Sequence, residues 1–89
     1  MYELYLHNQF EKDLKKCKKQ GKDINKLAPI IARLRNGEVL KEFRQHNLVG
    51  NWKGKQELHI NSDWLLIFFI EDNILHLVAT GSHSDLFNM

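Results

Sequence analysis

At 89 residues, 43% hydrophobic and 27% charged, the chain has material for one packed domain spanning residues 1–89, and its composition excludes a disordered polymer. The longest apolar run, Trp64 to Ile70, is strand-sized, and the opening YELYLH has neither the basic nor the apolar region of a secretory signal, so the sequence predicts a cytoplasmic protein with no membrane partner. The formal charge of +2 hides a division: the first 55 residues hold all thirteen Lys and Arg with six acids, and the rest hold five acids and no Lys or Arg.

YELYLH alternates around Tyr2, Leu4 and Leu6, which predicts a short strand with one buried face. Asn8 can cap a following helix with Glu11 as its reciprocal partner, and Phe10, Leu14 and Cys17 recur at helical spacing until Gly21. The lone Cys17 has no partner for an internal disulfide and reads as a small buried apolar group. Asp23 can cap a second helix whose apolar face is Ile24, Leu27, Ile31 and Leu34, closed by Gly37. Pro29 at its sixth position must kink that helix or delay its start. Glu38 to Gly54 keeps no period apart from a helical hint at Leu40 to Phe43 and reads as a loop, of a length that is often functional.

The remainder is strand signal. KQELHI alternates, NSD turns, WLLIFFI is apolar on both sides and therefore central, Asp72 and Asn73 form a hairpin turn, and ILHLVA returns. With the first turn at Asn61 and Ser62, pairing puts His59, Trp64, Leu66 and Ala79 on one face and Leu58, Leu65, Ile67, Phe69 and Val78 on the other. The helices should cover the Leu58 side and leave His59 on the open side.

Five histidines is a high count, and four fall in the second half: His46 in the loop, His59 near a strand end, His76 in the last strand and His83 in the terminal segment. Histidine both accepts and donates protons near neutral pH, so a group of them with a carboxylate such as Asp63 suits acid–base chemistry. Singly, each is an ordinary polar residue, Asp63 an ordinary turn former, and Trp52 and Trp64 ordinary anchors; His7 and His76 read as structural or surface residues. The chain lacks a phosphate-cradling glycine loop and the elbow of a serine hydrolase. His46, His59, Asp63 and His83 are legitimate zinc ligands, but without the tight paired spacing of zinc motifs. The basic front half suits a polyanion or an acidic protein, although lysines that merely solvate a helix give the same pattern.

HNLVGNWKGKQELHINSDWLLIF and TGSHSDLF, with the helical KDLKKCKKQGKDINKL before them, resemble the YafQ branch of the RelE/ParE superfamily of bacterial toxins over essentially the whole chain. The resemblance implies an α+β fold, two N-terminal helices on one face of a mostly antiparallel sheet of four or five strands. It also implies the toxin of a type II toxin–antitoxin system, a ribosome-dependent mRNA endoribonuclease that enters the A site of the 70S ribosome. The reaction implied is attack of a ribose 2′-hydroxyl on the adjacent phosphate, with no metal or cofactor. Carried over by position, His46, His59, Asp63 and His83 are catalytic and Trp64 and Phe87 contact substrate. Expected roles are His83 as acid, His59 with Asp63 as the base side, and His46 on the phosphate.

Two departures stand out. Relatives often carry arginine where this chain has Gln56 and Ala79, which leaves positive charge for the crowded phosphorane to Lys53, Lys55 or a protonated histidine. Activity should then be reduced or more pH-dependent. Expected partners are a cognate antitoxin, the 70S ribosome with mRNA, and operator DNA only through the antitoxin complex. The alternative is a binding module of the same fold that keeps the antitoxin and has lost catalysis.

Overall fold

The computed structural model describes residues 1–87. In chain order its elements are β1 (Glu3–Leu6), α1 (Asn8–Lys19), α2 (Leu27–Arg35), β2 (His46–Asn47), β3 (Gln56–Asn61), β4 (Trp64–Glu71), β5 (Ile74–Gly81) and α3 (His83–Phe87). The sheet runs β1-β5-β4-β3-β2, with β1 parallel to β5 and every other pair antiparallel. This is the α+β class read from the sequence, with WLLIFFI at the centre and a short third helix added.

Local chemistry accounts for most boundaries. The hairpin between β4 and β5 turns on Asp72 and Asn73 at φ 53° and 64°, the left-handed pair that a two-residue turn requires. Asn8 does not cap α1: it is already helical, and His7 stands at the cap without a side-chain hydrogen bond to the helix. Asp23 caps as expected, its carboxylate accepting from the Asn25 N–H, but what it caps is a 3₁₀ turn (Ile24–Lys26) that precedes α2. Pro29 thereby falls at the third position of α2, where its missing N–H would have had no helical acceptor, so the helix starts late rather than kinking. The expected loop carries two 3₁₀ turns, Lys41–Phe43 and Gly50–Trp52, around the two-residue strand β2, and is anchored by the fully buried Leu40.

The core lies between the helices and one sheet face. Phe10, Cys17, Leu27, Ile30 and Leu34 meet Leu58, Ile60, Trp64, Leu66, Phe68, Leu75 and Leu77. Burial pushes the Cys17 thiol pKa up, in keeping with a packing role. The expected face assignment is corrected here. The β3–β4 turn is Ser62–Asp63, Asn61 stands opposite Trp64, and a bulge between His59 and Asn61 sets His59 opposite Leu65. Trp64 and Leu66 therefore join Leu58 on the helix side, while Leu65, Ile67 and Ala79 share the face of His59. Fully burying such a side chain is worth about 1.5–3 kcal/mol. Holding Leu58, Leu66 and Phe68 in the core together outweighs a turn preference, so burial fixes the register.

Candidate active site

The face opposite the helices carries a row of rings. His46 and His59 have centroids 6.4 Å apart, His59 and His83 5.8 Å, His83 and Phe87 5.7 Å, and Phe87 meets the edge of Trp52 at 5.7 Å. Residues from β2, β3, α3 and the Gly50–Trp52 turn are thus brought together. Beneath them Leu65, Ile67 and Ala79 are buried on the sheet, so the floor is apolar.

The first two histidines meet over Glu57, whose side chain is only 5% exposed. Its Oε1 lies 3.2 Å from His59 Nε2 and 3.8 Å from His46 Nε2. The carboxylate beside it favours the proton of His59 on Nε2, and in the neutral ring the lone pair is then on Nδ1. That Nδ1 is buried and, among the described residues, has no hydrogen-bond partner. His46 is fixed from the other side: its Nδ1–H donates at 2.7 Å to the carbonyl of Arg44, a residue at φ 57°. A groove of about 380 Å³ lined by Arg44, His59, Asn61 and Ser62 opens beside His59.

His83 is held by the start of α3. Asp85 N–H donates to Ser82 Oγ at 3.1 Å and Ser82 N–H to Asp85 Oδ2 at 3.3 Å, a reciprocal box. Lys16 on α1 reaches the other oxygen of Asp85 at 3.0 Å. This lysine and the Ser82 bonds hold the Asp85 carboxyl below its ordinary pKa, and Asp85 raises that of Lys16. Gly81 turns at φ +154°, and a Cβ there would sit 3.2 Å from Asp85 Cβ, so the approach of α3 depends on glycine.

The other expected site residues are placed differently. Asp63 is exposed on the β3–β4 turn, its N–H donating to Asn61 Oδ1, and no hydrogen bond joins it to His59 among the described residues. Trp64 is corrected from substrate contact to support. At 1% exposure it lies on the helix side, and its Nε1–H donates at 2.9 Å to Thr80 Oγ1. Thr80 in turn donates to the Leu65 carbonyl and is met at its N–H by Asp13 of α1, which steadies the chain just before Gly81. Lys53 is exposed, and Lys55 Nζ stands 5.7 Å over the Phe69 ring. Ala79 is buried, and Gln56 accepts from Gln45, which also takes the Leu40 N–H, so both arginine-type positions serve packing. Glu57 was readable in KQELHI, where strand alternation puts it on the face of His59. Among the described residues, no three His, Cys, Asp or Glu side chains gather as metal ligands.

The sheet and its helices superpose on solved toxins of toxin-antitoxin systems. Residues 2–88 match the family described as bacterial toxin of type II toxin-antitoxin system, YafQ. The mRNA interferase toxin YafQ of Escherichia coli strain K12 is 37% identical over 81 residues, 89% of this chain and 88% of that protein. A copper-bound mutant toxin from Helicobacter pylori superposes with a TM-score of 0.92 at 40% identity, covering 98% of this chain and 100% of that one. The toxin in the E. coli DinJ-YafQ toxin-antitoxin complex does so with a TM-score of 0.86 at 34% identity, covering 97% of each chain. The chain belongs to the YafQ family of toxins.

Proposed function

We propose that this protein is a ribosome-dependent mRNA endoribonuclease that cleaves by attack of a 2′-hydroxyl on the adjacent phosphate. The observation that carries the reading is the His59–Glu57 pair with its unpartnered Nδ1, set one ring away from His83. His59 Nδ1 takes the 2′-hydroxyl proton, and Glu57 steadies the imidazolium that forms. The 2′-oxygen bonds to phosphorus as the bond to the 5′-oxygen breaks, and His83 returns a proton to that leaving oxygen. The products are a 2′,3′-cyclic phosphate and a free 5′-hydroxyl. His59 Nδ1 is covered in the free protein, so the substrate must shift a neighbouring side chain to reach it. Asp63, at the turn, is the outer carboxylate of the base side.

His46 contacts the phosphate, together with Lys53, Lys55 and Arg44, a residue of the groove at His59. Arg44 thus stands in for the guanidinium missing at positions 56 and 79. Every step uses side chains of this chain, and the reaction needs no metal: protein freed of transition metals by chelation keeps its rate. Phe87, braced by Trp52, positions a base. The protein works in the cytoplasm on the 70S ribosome, is neutralised by a cognate antitoxin, as the DinJ-YafQ complex supports, and meets operator DNA only through that antitoxin.

The test is cleavage of mRNA on purified, programmed ribosomes. Wild type should cut within the reading frame, and His83→Ala should be slower by about 10²–10⁴-fold, the usual worth of a general acid. Wild type that binds antitoxin yet leaves mRNA intact would overturn the nuclease in favour of the binding module.

A further inference from the structure

A second ring cluster occupies the same sheet face, away from the His59 row. Phe69 and His76 are stacked with centroids 4.2 Å apart at 8°, His7 lies 5.2 Å from His76 and 5.9 Å from Phe69, and Tyr5 packs 5.0 Å from His7 and 5.6 Å from His76. These residues come from β1, β4, β5 and the turn into α1, and none belongs to the core under the helices. Tyr5 is 55% exposed, an aromatic ring left to water at the edge of the sheet.

The chemistry of this cluster differs from that of the catalytic row. His7 Nε2 and His76 Nδ1 are 3.0 Å apart, so one donates and the other accepts. Burial lowers the His7 pKa, as do His76 and Lys55, which keeps the ring uncharged at neutral pH. With one nitrogen of each turned on the other, these histidines also offer faces and edges of rings. Beside them stands Lys55 over Phe69, a cation already among the substrate-binding residues. From Leu65, opposite His59, to Phe69 is four residues of β4, or about 13 Å along the strand, well inside the several nucleotides that single-strand-binding grooves hold. Strand alternation then puts Glu3 and Glu71 beyond the rings on the same face, where their charge repels a phosphate and ends the track.

We infer that Tyr5, His7, Phe69 and His76 form a second RNA subsite, which stacks an unpaired base flanking the cleaved nucleotide while Lys55 meets the phosphate between them. This rests on the nuclease reading for the identity of the strand, but binding tests it without cleavage. The probe is a short single-stranded RNA made uncleavable by 2′-deoxy substitution, titrated into the full chain and followed by NMR. The ring resonances of Tyr5, His7, Phe69 and His76 should shift together with those of His59 and His83. Tyr5→Ala should weaken binding about 5- to 100-fold, the range found for losing one stacked base, and Tyr5→Trp should restore it. Because Tyr5 is outside the core, melting of Tyr5→Ala should match wild type.

RNA that shifts only the His59 row, RNA that binds nowhere at millimolar concentration, or unchanged affinity in Tyr5→Ala would each overturn the subsite. So would a patch that responds to antitoxin and not to RNA. A chain that binds RNA here yet cuts nothing on ribosomes would keep the subsite and fail only the nuclease reading.

Discussion

Two pairs of histidines share one face of one sheet and differ in what their ring nitrogens meet. His46 and His59 converge on the buried Glu57, so the carboxylate fixes the donor nitrogen of His59 and leaves the other nitrogen free. His7 and His76 share one hydrogen bond, and among the described residues no carboxylate pairs with either. A carboxylate that holds one nitrogen of a histidine also stabilises the imidazolium formed when the other takes a proton; a histidine partner offers no such counter-charge. Residue type and exposure alone do not separate the two pairs. The partner does.

The most forceful way to break this comparison is to take the charge from the partner. Glu57→Gln preserves shape and an oxygen that accepts from His59 Nε2–H, so the fold and tautomer remain while the imidazolium loses its counter-charge. Cleavage on ribosomes should fall on the order of 10²-fold in kcat, within the range for acid–base groups, with mRNA occupancy and melting temperature near wild type. An unchanged rate would mean that Glu57 merely fills space and that the two histidine pairs do not differ in the way stated.

A smaller effect should come from moving the proposed acid, His83, and leaving the proposed base, His59, alone. Gly81→Ala places a Cβ 3.2 Å from Asp85 Cβ at a φ that side chains avoid, so α3 must shift and carry His83 with it. A misplacement of about 1 Å costs roughly 10²-fold, which sets the upper end of the expected loss. The His7–His76 pair lies outside this change, and RNA-induced shifts at Tyr5 and Phe69 should persist. Full activity in this variant would show that α3 does not aim His83.

The sequence made the fold readable because burial writes itself into alternation: the central WLLIFFI, the Asp72–Asn73 hairpin and the helix faces follow from periods and turn chemistry. It made the candidate histidines readable through resemblance, while Glu57 went unread although the i, i+2 rule in KQELHI puts it on the face of His59. Two things were not local. The bulge between His59 and Asn61 has no glycine to announce it, and one extra residue carried Trp64 and Leu66 to the opposite face from the one expected. The contacts that aim α3 link residues far apart in the chain, Lys16 to Asp85 and Asp13 to Thr80, and nothing in either segment marks its partner.

The Lys16–Asp85 contact gives the smallest expected effect and the finest division of the two histidine pairs. Both side chains are partly solvated, so water and salt screen the attraction and its share of overall stability is slight. The folded pKa of Asp85 is depressed below its ordinary 3.8, so the stabilisation is complete above that value and is lost as pH falls through the lower folded value. Lys16→Ala removes the first of the causes and leaves the Ser82 bonds, which still depress the carboxyl. Acid unfolding should therefore begin at slightly higher pH in Lys16→Ala, with hydrogen exchange at α3 rising and that of the β4–β5 ladder unchanged. Cleavage at neutral pH should fall by less than in Gly81→Ala, because the cap box alone still orients His83. Exchange that rose equally across β1, β4 and β5 would make the ion pair a general support of the fold and remove its claim to act on His83.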